Sequence, residues 1–230
     1  MPGAHLAVGH LGWLRGALGA ALGIATAGAV TIFLLGLLPG TSTDALPWLV
    51  APLGASAVLV FSVPASPLAQ PWPVIGGNLI SALLGIAMGK LIGLPWLSAS
   101  FAVGVAISLM SLMRCLHPPG GACALLCSLG AAGPDAWSWV YLAPIGINIF
   151  TLVVVGWIYN NLTGHSWPHR VLNAPVTKTL APLPSYSRED LDAVVAQWDE
   201  MLDVDLDDLD ALFRALEQRV MGRREAGKGS

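Results

Sequence analysis

The residues best suited to chemistry lie between Met113 and Cys123. There the chain sets a guanidinium (Arg114), a titratable ring (His117), two prolines (Pro118, Pro119) and two glycines (Gly120, Gly121) inside an apolar run. Proline has no N–H to donate and a fixed φ, so the pair suits the first turn of a helix and not its interior. First-turn amides lack helical acceptors and carry the positive end of the helix dipole. Gly120, Gly121 and Ala122 are small enough to leave that backbone approachable. Such an end attracts anions. Arg114 either adds charge at a pore mouth or anchors the chain at the cytoplasmic face. His117 either relays a proton, or caps a neighbouring helix or bonds a carbonyl beside the proline break.

The device occurs twice. Pro52-Leu53-Gly54-Ala55-Ser56-Ala57-Val58-Leu59 overlays Pro119-Gly120-Gly121-Ala122-Cys123-Ala124-Leu125-Leu126, with Ser56 in place of Cys123. Downstream, Ile75-Gly76-Gly77-Asn78 matches Ile145-Gly146-Ile147-Asn148 in the same order. Two ordered matches indicate an internal duplication. The candidate site therefore comprises Gly54, Ala55 and Ser56 on one motif, Gly120, Gly121 and Ala122 on the other, and Arg114, His117, Asn78 and Asn148. The two asparagines lie inside spans, where an unpaired amide is costly. Their first role is to bond backbone freed at the prolines, and their second is to touch substrate.

Positioning these residues requires membrane helices. The chain of 230 residues is 55% hydrophobic and 11% charged, with a mean hydropathy of +0.68. Before Gly164 the charged residues are Arg15, Asp44, Lys90, Arg114 and Asp135, so the negative balance of the chain, −3 overall, comes from the C-terminal tail. Long apolar runs cover 11–38, 74–94, 97–113 and about 137–162. The run from Pro52 to Val63 has 12 residues, or about 18 Å of helix. That is short of a hydrocarbon core of about 30 Å. The run after Pro119 stops similarly at Gly130-Ala131-Ala132-Gly133-Pro134. Both motifs read as broken or re-entrant helices, which are tolerated where protein buries them or a polar cavity adjoins. Gly12, Gly16, Gly19 and Gly23 give the first span a face for close helix approach. Trp72, Trp96, Trp157, Tyr159 and Trp167 mark interfaces.

The expected fold is all-α: a polytopic bundle of two repeats, three plus three and inverted, with a soluble helical hairpin appended. Residues 1–165 form the membrane domain, 166–186 a linker and 187–230 an acidic amphipathic tail. Ser187-Arg188-Glu189-Asp190 reads as a capping box, and Asp205 or Asp207 opens a second helix. Asp208 and Arg214 occupy the glycine and glutamate positions of a calcium loop, which excludes an EF-hand.

The blocks His117-Pro118-Pro119-Gly120-Gly121-Ala122, Pro52-Leu53-Gly54-Ala55-Ser56, Pro64-Ala65-Ser66-Pro67-Leu68-Ala69-Gln70-Pro71 and Gly76-Gly77-Asn78 resemble the HPP family of integral membrane proteins. The resemblance covers roughly residues 10 to 165. It implies a membrane body, usually described with four helices, and in some members nitrite transport.

Two classes of function remain beside a third. The first is a transporter or channel for a small inorganic anion, nitrite being the one the resemblance implies. The second is a membrane-embedded redox or metal-binding protein using His117, Cys123 and Cys127, although packing of a helix interface suits those thiols better. Against it, the body offers no carboxylate pair and no paired histidines. The third is an anchor or sensor that presents the acidic tail to a partner. The expectation is no enzyme, no catalytic residue, no cofactor and no metal. The expected partners are a small anion, membrane lipid, a second copy of the chain in a homo-oligomer and a partner for the tail, with no nucleic acid. The expected location is a bacterial inner membrane. Arg15, Arg114, Arg170 and Lys178 place both termini in the cytoplasm, with Asp44 and Asp135 outside.

Overall fold

The computed structural model describes residues 12–37, 49–134, 137–169, 186–196 and 204–226. The chain divides into two units, residues 1–169 and 170–230. Every regular element among the described residues is helical. Asp44, Asp135 and the stretch 170–185 lie outside the described residues, and with them the loop charges that would orient the protein.

In the first unit α1 covers Gly12–Gly36, α2 Pro52–Ser62, α3 Asn78–Ile92, α4 Pro95–Leu112, α5 Pro118–Ala132 and α6 Leu142–Leu162. The proline breaks fall where a missing N–H requires: Pro52, Pro95 and Pro118 each open a helix. A π-helical turn, Pro73–Gly77, leads into α3. Four helical stretches are long and apolar enough to cross a membrane: Gly12–Gly36, Pro73–Ile92, Pro95–Leu112 and Trp139–Leu162. The other two, α2 with 11 residues and α5 with 15, reach about 16 and 22 Å.

Small residues set the packing. Gly16, Gly19 and Gly23 of α1 are buried. A Cβ on Gly19 would stand 2.5 Å from the Phe61 ring, and one on Gly16 2.7 Å from Ser62 Oγ. The glycine face expected of the first span therefore seats the end of α2. Helix α5 lies along α3 with Gly85 and Gly89 at the contact; a Cβ on Gly85 would be 2.5 Å from the Ala124 carbonyl. Helix α1 packs on α2 and α6, while α4 packs on α5 and α3.

Two aromatic assignments need revision. Trp167 is buried and donates from Nε1 to the Ala69 carbonyl at 3.1 Å. It is a core residue and not an interface marker, because a carbonyl of the proline-rich segment satisfies its one polar atom. Tyr159 turns inward too, edge-on to Phe61 with its hydroxyl donating to the Arg15 carbonyl at 2.8 Å. Trp96 and Trp157 are exposed.

In the second unit α7 covers Arg188–Ala196 and α8 Leu206–Ala226. The capping box forms as read: Asp190 N donates to Ser187 Oγ at 3.2 Å, and Ser187 N to Asp190 Oδ2 at 2.7 Å. Asp205 caps α8 by accepting from Asp207 N at 2.8 Å. The helices are tied by Arg188 to Asp207 at 2.6 Å and by the Tyr186 hydroxyl to Asp210 at 2.9 Å. The side-chain bond from Arg214 holds the Asp210 carboxyl below its ordinary range.

Candidate functional site

Helix α5 cannot simply continue α4. After Met113 the chain turns through Arg114, whose φ of 53° is left-handed, and the helix restarts at Pro118. His117 is left as the residue before the helix, in extended conformation and fully buried. Its ring meets two segments distant in sequence. Nδ1 lies 2.8 Å from the Leu68 carbonyl in the proline-rich segment, and Nε2 lies 2.8 Å from Ser56 Oγ on the second turn of α2.

These partners fix the tautomer. A carbonyl oxygen only accepts, so Nδ1 carries the proton and Nε2 presents its lone pair. Ser56 donates its hydroxyl proton to Nε2. Ser56 Oγ in turn accepts from Asn78 Nδ2 at 3.1 Å, and the second Asn78 N–H goes to the Val74 carbonyl at 2.9 Å. Ser56 is fully buried and Asn78 nearly so. Asn78, Ser56, His117 and Leu68 thus form a buried chain in which each hydrogen has one acceptor. Gly77 makes room for it: a Cβ there would stand 2.5 Å from His117 Cβ.

Asn148 belongs to a separate network. Its Oδ1 accepts from Val50 N at 3.2 Å, just ahead of Pro52, and its Nδ2 donates to Thr31 Oγ1 at 2.6 Å. This is the backbone-bonding role expected beside the proline break. The matched positions of the two motifs have matched surroundings. Ala55 and Ala122 are exposed, Ser56 and Cys123 are buried, and Cβ atoms on Gly54 or Gly121 would meet nothing within 4 Å. Gly120 differs, because a Cβ there would come within 2.9 Å of the Gly77 carbonyl, Met110 Sδ and Ser81 Oγ. Arg114 is exposed at the turn.

The helix starts are less bare than their glycines suggest. Leu53 N donates to the Val50 carbonyl at 3.0 Å, Gly54 N to Ala51 at 3.1 Å and Gly120 N to His117 at 2.8 Å. Tight i→i−3 turns therefore engage amides that an uncapped terminus would leave free. The dipole remains, but side chains must supply more of any donor set. Cys123 and Cys127 are buried free thiols one helical turn apart. Both nitrogens of His117 are engaged elsewhere.

Arg15 and Asn160 did not stand out in the sequence as functional positions. Arg15 reaches from α1 to the Phe61 carbonyl at 2.7 Å and to Asn160 Oδ1 at 2.9 Å. Asn160 Nδ2 donates to the Val60 carbonyl at 2.9 Å. Together they close the C-terminal end of α2, placing a cation at the negative end of its dipole. One signal was present: Asn160 follows Asn148 by 12 residues, as Lys90 follows Asn78.

A family model described as the HPP transmembrane region matches residues 6–168. Two transmembrane proteins of Dictyostelium discoideum are similar. One is 36% identical over 121 residues, covering 49% of this chain and 41% of the relative. The other is 34% identical over 120 residues, covering 50% and 38%. The aligned region thus spans less than half the length of these relatives. No solved structure matches the chain significantly.

Proposed function

The chain belongs to the HPP transmembrane family, and from that premise we propose that it conducts or carries a small inorganic anion past the N-terminal turns of α2 and α5. The observation that carries this reading is the meeting of those two ends through Ser56 and His117, 2.8 Å apart. Both helices start at proline, and both leave a first-turn glycine, Gly54 and Gly121, facing open space. Each positive helix end contributes on the order of 0.3 to 2 kcal/mol toward an anion. Two such ends suit loose binding and quick release. Arg15 at the far end of α2 offsets the negative pole of that helix, leaving the positive pole at Gly54-Ala55-Ser56 less opposed.

Inverted repeats in a 3+3 arrangement fit this reading. The first long helix of each half packs on the short helix of its own half and on the last helix of the other. Transporters built this way hold their substrates between broken helices. Nitrite is the first anion to try, with transport and not catalysis as the activity. On this reading the body sits in a bacterial inner membrane with both termini cytoplasmic, as a homo-oligomer, and the acidic tail engages a partner.

The test is flux of nitrite, nitrate and chloride into liposomes containing the purified full chain, against protein-free liposomes. The expected result is protein-dependent flux of at least one anion, reduced by more than about tenfold in folded Gly54→Val or Gly121→Val, where a side chain obstructs the backbone. Flux indistinguishable from empty liposomes for all three anions would overturn the assignment.

A further inference from the structure

We propose that Ser56 and His117 form a proton-linked anion switch, in which protonation of the ring frees the Ser56 hydroxyl to bind the anion. This inference rests on the anion reading above and adds the coupling ion. In the neutral state the 2.8 Å gap between Ser56 Oγ and His117 Nε2 holds one hydrogen, supplied by the serine. Nδ1–H is pinned to the Leu68 carbonyl at 2.8 Å, so an incoming proton can only take the Nε2 lone pair. Nε2–H then donates to Ser56 Oγ, and two hydrogens cannot share that gap. The serine hydroxyl must rotate away. Its oxygen accepts from the ring and from Asn78 Nδ2, and its own hydrogen needs a new acceptor.

Protonation thus creates a positive charge and a free donor at once, beside two helix ends whose first-turn amides at Leu53, Gly54 and Gly120 are already engaged. A small anion satisfies both. The two bindings reinforce each other because a buried imidazolium without a counter-ion is strongly disfavoured. Among the described residues no carboxylate bonds the ring. In the first unit the acidic residues by sequence are Asp44 and Asp135, both outside the described residues. From α2 the ring meets Ser56, which Asn78 of α3 bonds in turn, and from the proline-rich segment it meets the Leu68 carbonyl. On its own segment the titratable neighbours are the Cys115 thiol and exposed Arg114. Lys90 lies at the far end of α3, and Arg15 is committed to the C-terminal end of α2. Thermodynamic reciprocity then requires that the proton raise anion affinity by the factor by which the anion raises proton affinity. The proton enters from water with the anion and leaves with it.

The experiment uses full-length protein in liposomes loaded with a pH-sensitive dye, with nitrite, nitrate or chloride added outside at about pH 5.5 and about pH 8, either side of the ordinary imidazole range. Protein-free liposomes correct for passive entry of nitrous acid. The expected result is anion flux that rises toward low pH and acidifies the lumen. In His117→Gln, whatever flux remains is independent of pH and moves no protons. In Ser56→Ala, which keeps the ring and loses the hydroxyl, the ratio of anion affinities at the two pH values falls about tenfold. Ser56→Ala carries the test alone if His117→Gln does not fold. Wild-type flux equal at both pH values, with no acidification above the protein-free control, overturns the coupling and leaves the anion reading standing. Absence of flux for every anion overturns both.

Discussion

Helices α2 and α5 share a proline start, an open first-turn glycine and a length too short to span, yet the protein holds them by different means. Helix α5 is held along its side. Gly85 and Gly89 let it lie against α3 so closely that added methyl carbons would meet backbone atoms of Ala124 and Ser128. Helix α2 is seated on the glycine face of α1 and, in addition, held at its ends by polar side chains. Asn148 takes the Val50 amide at one end, and Arg15 and Asn160 take the Phe61 and Val60 carbonyls at the other. Close packing tolerates no added volume and is indifferent to charge. End-locks fail when a donor is lost. The two short helices therefore differ in one sensitivity, that to a lost donor.

The largest effect should come from Gly85→Val. The new side chain collides at 2.5 Å with the Ala124 carbonyl and at 2.6 Å with Cys127 Cβ. We expect a loss of about 3 kcal/mol, the upper range for overpacking, measured as a fall in the thermal or denaturant midpoint in detergent. Gly104→Val on α4, where nothing lies within 4 Å, is the control. Equal midpoints for the two variants would show that α5 is not held by close packing on α3.

A smaller effect is expected from Arg15→Gln, which withdraws the fork that serves Phe61 and Asn160. Leaving partly buried acceptors short of donors costs about 1 to 3 kcal/mol. Arg15→Lys should recover only part, because an ammonium cannot reproduce the fork. Hydrogen exchange sharpens the contrast: protection should fall in the last turn of α2 and stay unchanged in α5. A uniform fall across both would show that α2 has no lock of its own.

The smallest effect belongs to the pair Gly54→Ala and Gly121→Ala. Both positions face open space, so the substitutions should leave stability unchanged or raise it by under about 1 kcal/mol through helix propensity. The midpoints of the two variants should agree with each other. A clear loss in one alone would place a tight neighbour at that helix start and end the likeness between the two.

What the sequence made legible was local. Proline at 52 and 118 stops and starts helices because of one missing hydrogen, and the glycines of α1 announce a close neighbour without naming it. The capping box at Ser187 needs only a spacing of three. His117 was readable as a residue that bonds a carbonyl beside the break, and Asn148 as one that serves freed backbone. The partners were not readable. Ser56 and His117 are 61 residues apart, and Arg15 and Asn160 145 apart; no periodicity encodes such pairings. Trp167 misled for a related reason. An indole at the end of a span suits a membrane interface and a buried carbonyl equally well, and only the position of Ala69 decides between them. Glycines that promised bare amides were likewise overruled by tight turns closing on them.

The Arg15 lock also sets a timetable for synthesis. Its first acceptor, Phe61, is made 46 residues after it, whereas Asn160 is made 145 residues after it. At about 5 to 20 residues per second, the second partner leaves the ribosome roughly 7 to 30 s later than Arg15. For that interval the nascent chain carries a guanidinium whose partner among the described residues already made is the Phe61 carbonyl, beside the Val60 carbonyl that Asn160 has yet to meet. Insertion of the last long helix therefore does more than add a span. It supplies the amide that finishes the seat of the second helix, so a chain stalled before residue 160 should hold α2 loosely, however well its earlier segments have entered the membrane.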